Sequence, residues 1–154
     1  MMRKAKISDV KKIRELNNQY AKNGEMLPRS LNQIYEQLQN FYVVDINKKV
    51  VGCCELFITW EDIAEIKALA VAPNYKGKGF GSSLVKKCIA TAEQLGVKKV
   101  FALTVKPDFF LKLGFNVVPK HLLPHKIWSE CVNCPRFPDN CNEVPVMKEI
   151  SKAS

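Results

Sequence analysis

The chain contains no stretch approaching the roughly 18 consecutive apolar residues that a membrane-spanning helix requires. Its first residues, MMRKAKISDVKKIRELNN, are basic but lack the apolar centre of a secretory signal. These two absences lead to the expectation of a cytoplasmic protein with no membrane partner, whose six cysteines are reduced thiols and not disulfides. Arginine is scarce as well, with 4 against 20 lysines in a chain of net charge +9. The lysines come in scattered pairs at 11–12, 48–49, 86–87 and 98–99, the habit of a solvated surface. Such a field attracts anions. The shortage of arginine, the usual bidentate reader of bases, argues against a nucleic-acid partner. There is no internal repeat, low-complexity tract or linker, so residues 1–154 are expected to form a single domain. A chain of about 150 residues hides roughly 70% of its unfolded surface and needs no covalent staples. Glycine is the last shortage, and it is the informative one: of only seven glycines, three stand at positions 77, 79 and 81.

What is present alternates between strand and helix patterns. A short strand over 3–7 precedes a helix that Ser8 is expected to cap, with Val10, Ile13, Leu16 and Tyr20 on one stripe and Gly24 at its end. EMLPRS reads as a loop, and Ser30 as the cap of a second helix carrying Leu31, Ile34, Tyr35 and Leu38. FYVVDI (41–46) and VVGCCELFITW (50–60) read as strands joined by a tight turn at NKK. The stretch 63–72 suits helix or strand on propensity, and Pro73 with the following glycines favours strand. A helix over 81–94 closes at Gly96, KKVFALTV is a strand, and PDFFLKLG is a short helix running from Pro107 to Gly114. FNVVPK and VPVMKEI are further strands, separated by an irregular segment, 121–143, with three cysteines. This order predicts an α/β fold with a mixed, mostly antiparallel central sheet flanked by helices.

The glycines lie in LAVAPNYKGKGFGSSLV, a strand, a loop and a helix start. Gly77, Gly79 and Gly81 free the backbone to present successive N–H groups, the helix aims its positive end at the same place, and Lys76 and Lys78 add charge. That is a cradle for an anion such as a pyrophosphate. The spacing is neither that of a Walker A loop nor that of the dinucleotide fingerprint. A plain glycine-rich turn is the competing reading.

In IAEIKALAV, strict alternation puts Ile63, Glu65, Lys67 and Leu69 on one face, and Ala64, Ile66, Ala68 and Ala70 on the other. A glutamate and a lysine on one face of a mid-sheet strand suggest a polar cleft, in which a partly buried Glu65 could serve as a base through a water. A structural Glu65–Lys67 ion pair is the alternative.

Lys76-Gly77-Lys78-Gly79-Phe80-Gly81 resembles motif A of the GNAT superfamily of acyl-CoA N-acyltransferases, R/Q-x-x-G-x-G/A, with lysine in the first position. The resemblance extends through element order and the LGF at 113–115. It implies a GNAT-like fold and acetyl-CoA as co-substrate, its pyrophosphate at Lys76–Ser82 and its pantetheine arm along the backbone of Leu69, Ala70 and Val71. Phe109 and Phe110 would lie on the cofactor side. They occupy a region where many of these enzymes carry a tyrosine acid, which phenylalanine cannot replace.

GEMLPRS, AEIKALAV, VFALTVKPDFFLKLGF and LPHKIW together resemble the acetyltransferase domain of N-acetylglutamate synthases in its short, stand-alone bacterial form. That resemblance implies N-acetylation of L-glutamate at the start of arginine biosynthesis. It assigns Glu65 as the base, Thr104 as the hydroxyl that reprotonates the thiolate, and Arg29 as the contact to a substrate carboxylate, with Ser30 and Lys67 beside it. A bidentate guanidinium suits that task, although an exposed surface arginine is the plainer reading. A homodimer is among the partner states left open.

CVNCPRFPDNC spaces Cys131, Cys134 and Cys141 as C-x2-C-x6-C, with His121 and His125 upstream. A zinc site there is the lesser reading, because the second C-x2-C half of a ribbon is missing; no metal is expected. Cys53, Cys54 and Cys88 fall in strand and helix patterns and read as small core residues. Two other functions remain open at this point. One is an acetyltransferase for another amine, such as a polyamine or a protein N-terminus. The other is a basic zinc- or nucleic-acid-binding module.

Overall fold

A computed structural model of the chain describes residues 1–24, 28–123 and 143–150. Most of LPHKIW, and with it His125, Cys131, Cys134 and Cys141, lies outside the described residues. Seven strands form one sheet in the order β1-β2-β3-β4-β5-β7-β6. They are β1 (Met2–Lys4), β2 (Phe41–Ile46), β3 (Lys49–Trp60), β4 (Ile63–Val71), β5 (Lys99–Thr104), β6 (Asn116–Val117) and β7 (Val144–Glu149). Every neighbouring pair is antiparallel except β4 and β5. Those two are joined through helix α3 (Phe80–Gln94), because parallel neighbours need a crossover. The mixed sheet expected from the element order is therefore present.

Helices α1 (Val10–Lys22) and α2 (Leu31–Glu36) cover one face of the sheet. Val10, Ile13, Leu16 and Ile34 pack there against Phe41, Val43, Val50, Cys53 and Ala70. α3 and the short α4 (Pro107–Leu111) cover the other. Leu84, Val85, Cys88, Ala92 and Phe110 meet Tyr42, Val44, Cys54, Leu56, Ala64 and Ile66 there. Cys53, Cys54 and Cys88 are buried free thiols, as their patterns suggested.

Local chemistry explains most boundaries. Asn47 and Lys48, at φ 51° and 67°, turn the β2–β3 hairpin in two residues, the left-handed pairing that matches strand twist. Ser30 caps α2 in a reciprocal box: its hydroxyl accepts the Gln33 N–H at 3.2 Å, and Gln33 Oε1 accepts the Ser30 N–H at 2.9 Å. Ser8 does not cap α1. It lies inside a 3-10 turn, Ile7–Asp9, and the Asp9 carboxylate takes the Lys6 N–H at 2.8 Å instead. The same carboxylate accepts from Arg3 of β1, and the N-terminus of α1 has no side-chain cap. The strand expected over FNVVPK shrinks to Asn116–Val117, the outermost strand of the sheet.

Strict alternation fails in β4. Cys53 faces Ala70 while Glu55 faces Lys67, so β4 holds one extra residue between the two pairs. Ala68 takes up the surplus at φ 57°, a left-handed conformation that costs a non-glycine residue about 1 kcal/mol or more. Beyond this bulge the faces exchange. Leu69 joins Ala64 and Ile66 on the α3 side, and Ala68 and Ala70 turn to the α1 side. The expected grouping of Leu69 with Glu65, and of Ala68 and Ala70 with Ala64, is thereby corrected.

Candidate active site

Three features converge where β4 ends. The first is a fork. β4 and β5 pair only at Ile63–Lys99, Ala64–Val100 and Glu65–Phe101, after which no register joins them. β4 continues along β3 to Val71, paired with Gly52. Its other edge therefore carries main-chain polar groups through Leu69 and Ala70 with no neighbouring strand from β5, which suits an extended ligand. Val71 is partly engaged, since Tyr20 Oη donates to its carbonyl at 2.5 Å.

The second is the glycine loop. Gly77 and Gly79 sit at φ 79° and 85°, and a Cβ built on either meets nothing within 4 Å. Backbone conformation, not space, demands glycine at both positions. Gly81 answers to packing, because its Cβ would stand 3.4 Å from Phe109 Cζ. The first helical bond of α3 runs from Ser83 N–H to Gly79 C=O at 3.0 Å, so the amides of Phe80, Gly81 and Ser82 precede the ladder at the positive end of a 15-residue helix. Lys76 and Lys78 rest on aromatic rings beside the loop, 4.6 Å from the Tyr20 centroid and 5.4 Å from the Tyr75 centroid. Phe109 packs edge-on against Phe110 at 5.1 Å, and Phe110 is buried in the core against Phe115.

The third is a charged cluster on the α1 side of the fork. Glu65 is 7% exposed, and its Oε1 lies 3.9 Å from Lys67 Nζ, which sits 4.8 Å over the Phe57 ring. Arg29 comes from the loop before α2. Asn18 Oδ1 accepts its N–H at 3.1 Å, and Phe41 lies under its guanidinium at 5.9 Å. The guanidinium donates to Glu55 Oε1 at 2.5 Å. Ser30 stands at the mouth of the same loop with its hydroxyl engaged in the cap.

Thr104 is placed differently. It ends β5 on the face of Ala102, the α3 side, whereas Glu65 projects toward the α1 side. The two expected catalytic residues therefore stand on opposite faces of the sheet. Thr104 Oγ1 accepts the Lys106 N–H at 2.9 Å, which leaves its own proton available for donation.

Three residues of this region were not found in the sequence. Glu55 is 1% exposed and directly opposite Lys67. Asn17 is fully buried on α1, and its amide donates to the bulge carbonyl of Ala68 at 3.4 Å and to Cys53 Sγ at 3.3 Å. Tyr20, one turn on, holds the end of β4. A signal existed for the first two: a lone glutamate inside the apolar run VVGCCELFITW, and an asparagine on the buried stripe of α1. The buried thiol of Cys53 is pushed up to about 12, chiefly by loss of hydration, and takes no part as a nucleophile near neutral pH. Among the described residues no group of three His, Cys, Asp or Glu side chains is placed to hold a metal, and no helix is long and apolar enough to cross a membrane.

Known proteins resemble this chain in sequence and in fold. Residues 8–115 match the model of the acetyltransferase (GNAT) family. An uncharacterized N-acetyltransferase of Chlorobaculum tepidum is 36% identical over 149 residues, which cover 97% of this chain and 96% of that protein. An amino-acid acetyltransferase of Mycobacterium tuberculosis is 36% identical over 133 residues, 84% of this chain and 76% of that protein. Among solved structures, Rv2747 of Mycobacterium tuberculosis, in complex with CoA and NLQ, superposes with a TM-score of 0.86 at 28% identity, covering 98% of this chain and 99% of that one. The N-acetylglutamate synthase of Neisseria gonorrhoeae gives a TM-score of 0.90 at 23% identity, a likeness of fold in which this chain spans 35% of that protein.

Proposed function

This chain belongs to the GNAT acetyltransferase family, and from that membership we propose that it transfers the acetyl group of acetyl-CoA to the amine of a free amino acid of the glutamate class, L-glutamate or its amide. With L-glutamate the product is N-acetyl-L-glutamate, the first step of arginine biosynthesis. The observation that carries this reading is the fork between β4 and β5, with the glycine loop at one end and a buried glutamate at the other. The names of the relatives and the CoA in the Rv2747 complex support it.

The chemistry follows from the placement. The pyrophosphate of acetyl-CoA lies on the amides of Phe80, Gly81 and Ser82, with Lys76, Lys78 and the loop glycines beside it. The pantetheine arm runs along the open edge of β4 at Leu69, Ala70 and Val71, bringing the thioester to the fork. Arg29 and Lys67 orient the acceptor carboxylate. Glu65, through a water, takes a proton from the acceptor ammonium. The free amine attacks the thioester carbonyl and the C–N bond forms; as the C–S bond breaks, the nitrogen gives its second proton to water, and the thiolate takes a proton from that water, directly or through the Thr104 hydroxyl, which is re-protonated in turn.

The test is a thiol-release assay with acetyl-CoA against the twenty amino acids, spermidine and a peptide. Turnover confined to glutamate or its amide supports the reading. Turnover with spermidine or peptide alone retains the family and discards the amino-acid acceptor.

A further inference from the structure

Tyr20 stands near the C-terminal end of α1, half-buried against the core on that side of the sheet. It makes two contacts that core packing alone does not require. Its hydroxyl donates to the Val71 carbonyl at 2.5 Å, and Lys76 Nζ lies over its ring, 4.6 Å from the centroid. The direction of that carbonyl matters. Ala72 N–H donates to Val51 C=O at 2.8 Å, so Ala72 and Val51 form a bonded pair of the β3–β4 ladder. Bonded and unbonded pairs alternate in an antiparallel ladder. Val71, opposite Gly52, is therefore not bonded to β3, and its N–H and C=O both point to the edge that β5 leaves open. Tyr20 reaches this edge from the α1 side and holds its last carbonyl, which keeps a second lone pair for another donor. A single 3-10 turn, Pro73–Tyr75, joins the end of β4 to Lys76 at the start of the glycine loop, and the one tyrosine touches both sides of it.

We propose that Tyr20 is a positioning residue of the acyl-CoA site. Its hydroxyl fixes the end of β4 along which the pantetheine arm lies, and its ring holds Lys76 beside the pyrophosphate. The inference rests on the place given to acetyl-CoA in the proposed function and is independent of which amine accepts the acetyl group. The physical need is one of separation. Arm and pyrophosphate are covalently joined, so the strand edge and the glycine loop must stand at one fixed distance. A side chain that contacts both sets that distance before the cofactor arrives. Without it, the bound cofactor has to order the two elements itself, and the ordering cost is lost from its affinity.

The experiment is calorimetric titration of wild type, Tyr20→Phe and Tyr20→Leu with acetyl-CoA, which reads the dissociation constant separately from the fraction of protein able to bind. Tyr20→Phe removes the hydroxyl and keeps the ring. It should raise the dissociation constant by about 3- to 10-fold, the worth of one hydrogen bond. Tyr20→Leu removes the ring as well and should add about 2- to 5-fold, the worth of an exposed cation–π contact, an increment that shrinks in high salt. Adenosine 3′,5′-bisphosphate carries phosphates but no pantetheine arm. It should bind wild type and Tyr20→Phe equally, and Tyr20→Leu less tightly. A merely structural role would lower the melting temperature or the binding fraction with the dissociation constant unchanged, and that result overturns the proposal. So does tighter acetyl-CoA binding by Tyr20→Phe, or an equal loss of affinity for acetyl-CoA and the bisphosphate in that variant. Tyr20→Phe is nearly isosteric and decides the matter even if Tyr20→Leu fails to fold. A wild type that binds no acetyl-CoA overturns the cofactor reading and this proposal together. Weakened binding by Tyr20→Phe in a protein that turns over no amino acid sustains this proposal and discards the amino-acid acceptor alone.

Discussion

Gly79→Ala separates the two roles of the glycine loop. Gly79 caps α3 at φ 85° and ψ 6°, and a Cβ there meets no atom within 4 Å. The added methyl therefore clashes with nothing beyond its own backbone, and the whole penalty is that of a left-handed L-residue, about 1–2 kcal/mol. If the loop holds its conformation, that cost appears in the fold. At about 2–4 °C per kcal/mol for a chain of this size, the melting temperature should fall by about 2–8 °C with little change in acetyl-CoA affinity. If the loop relaxes, the fold is spared and the amides turn away. Each lost hydrogen bond to a charged group removes about 1.5–3 kcal/mol, which raises the acetyl-CoA dissociation constant by about 10- to 100-fold. Thermal melts and calorimetric titration with acetyl-CoA read the two outcomes separately. Gly81→Ala is the control, since Gly81 is helical and its Cβ would stand 3.4 Å from a phenylalanine edge that can shift. It should disturb both quantities less than Gly79→Ala. A Gly79→Ala protein unchanged in both melting and binding would refute the backbone argument. Equal losses from the two substitutions would refute the distinction between conformation and packing.

Glu65→Gln should lower kcat by about 10²- to 10⁴-fold, the range for loss of a general base, with the acetyl-CoA KM nearly unchanged; a variant retaining full kcat would move the base elsewhere. Thr104→Val should slow single-turnover thiol release without altering amino-acid binding. Equal rates would assign thiolate protonation to water. Burial raises the Asp9 carboxyl, but bonds from Arg3 at 2.7 and 3.0 Å and from the Lys6 amide outweigh it and hold the group below its ordinary value. A depressed carboxyl stabilises the fold above its unfolded value near 4 and loses that contribution as pH falls through the folded value. Asp9→Asn should therefore cost about 1–3 kcal/mol near neutral pH, with a difference from wild type that narrows in acid; a constant difference in melting temperature down to pH 2 would exclude the linkage.

Periodicity and capping chemistry made most elements legible. The stripe of Val10, Ile13 and Leu16 is buried as its spacing required, and Ser30 with Gln33 forms the box that the residue types allow. These are local rules, enforced within a few residues by backbone geometry. Ser8 failed as a cap because the chain enters α1 through a 3-10 turn, Ile7–Asp9, whose Asp9 carboxylate is held by Arg3 of β1 and by the Lys6 N–H. The β4 alternation failed because a bulge is a property of two strands in register, and one strand's sequence does not contain it.

The candidate site divides along the same line. The glycine spacing and the residues of IAEIKALAV pointed to an anion loop and a polar strand, because the need for left-handed backbone and the cost of a charge in a sheet are both written in residue types. The partners were not so written. Glu55 and Arg29 are 26 residues apart in sequence, and nothing in either local pattern names the other. Asn17 meets the Ala68 carbonyl across 51 residues, at a bulge that exists only once β3 and β4 have paired. Composition and spacing by themselves pointed to the mixed α/β fold class, a glycine loop suited to an anion and the presence of an acidic group in a central strand. Only the tertiary structure decided which cations stand beside carboxylates, which face each side chain takes beyond Ala68, and that Glu65 and Thr104 stand on opposite faces of the sheet, because each of these depends on contacts between segments that are distant along the chain.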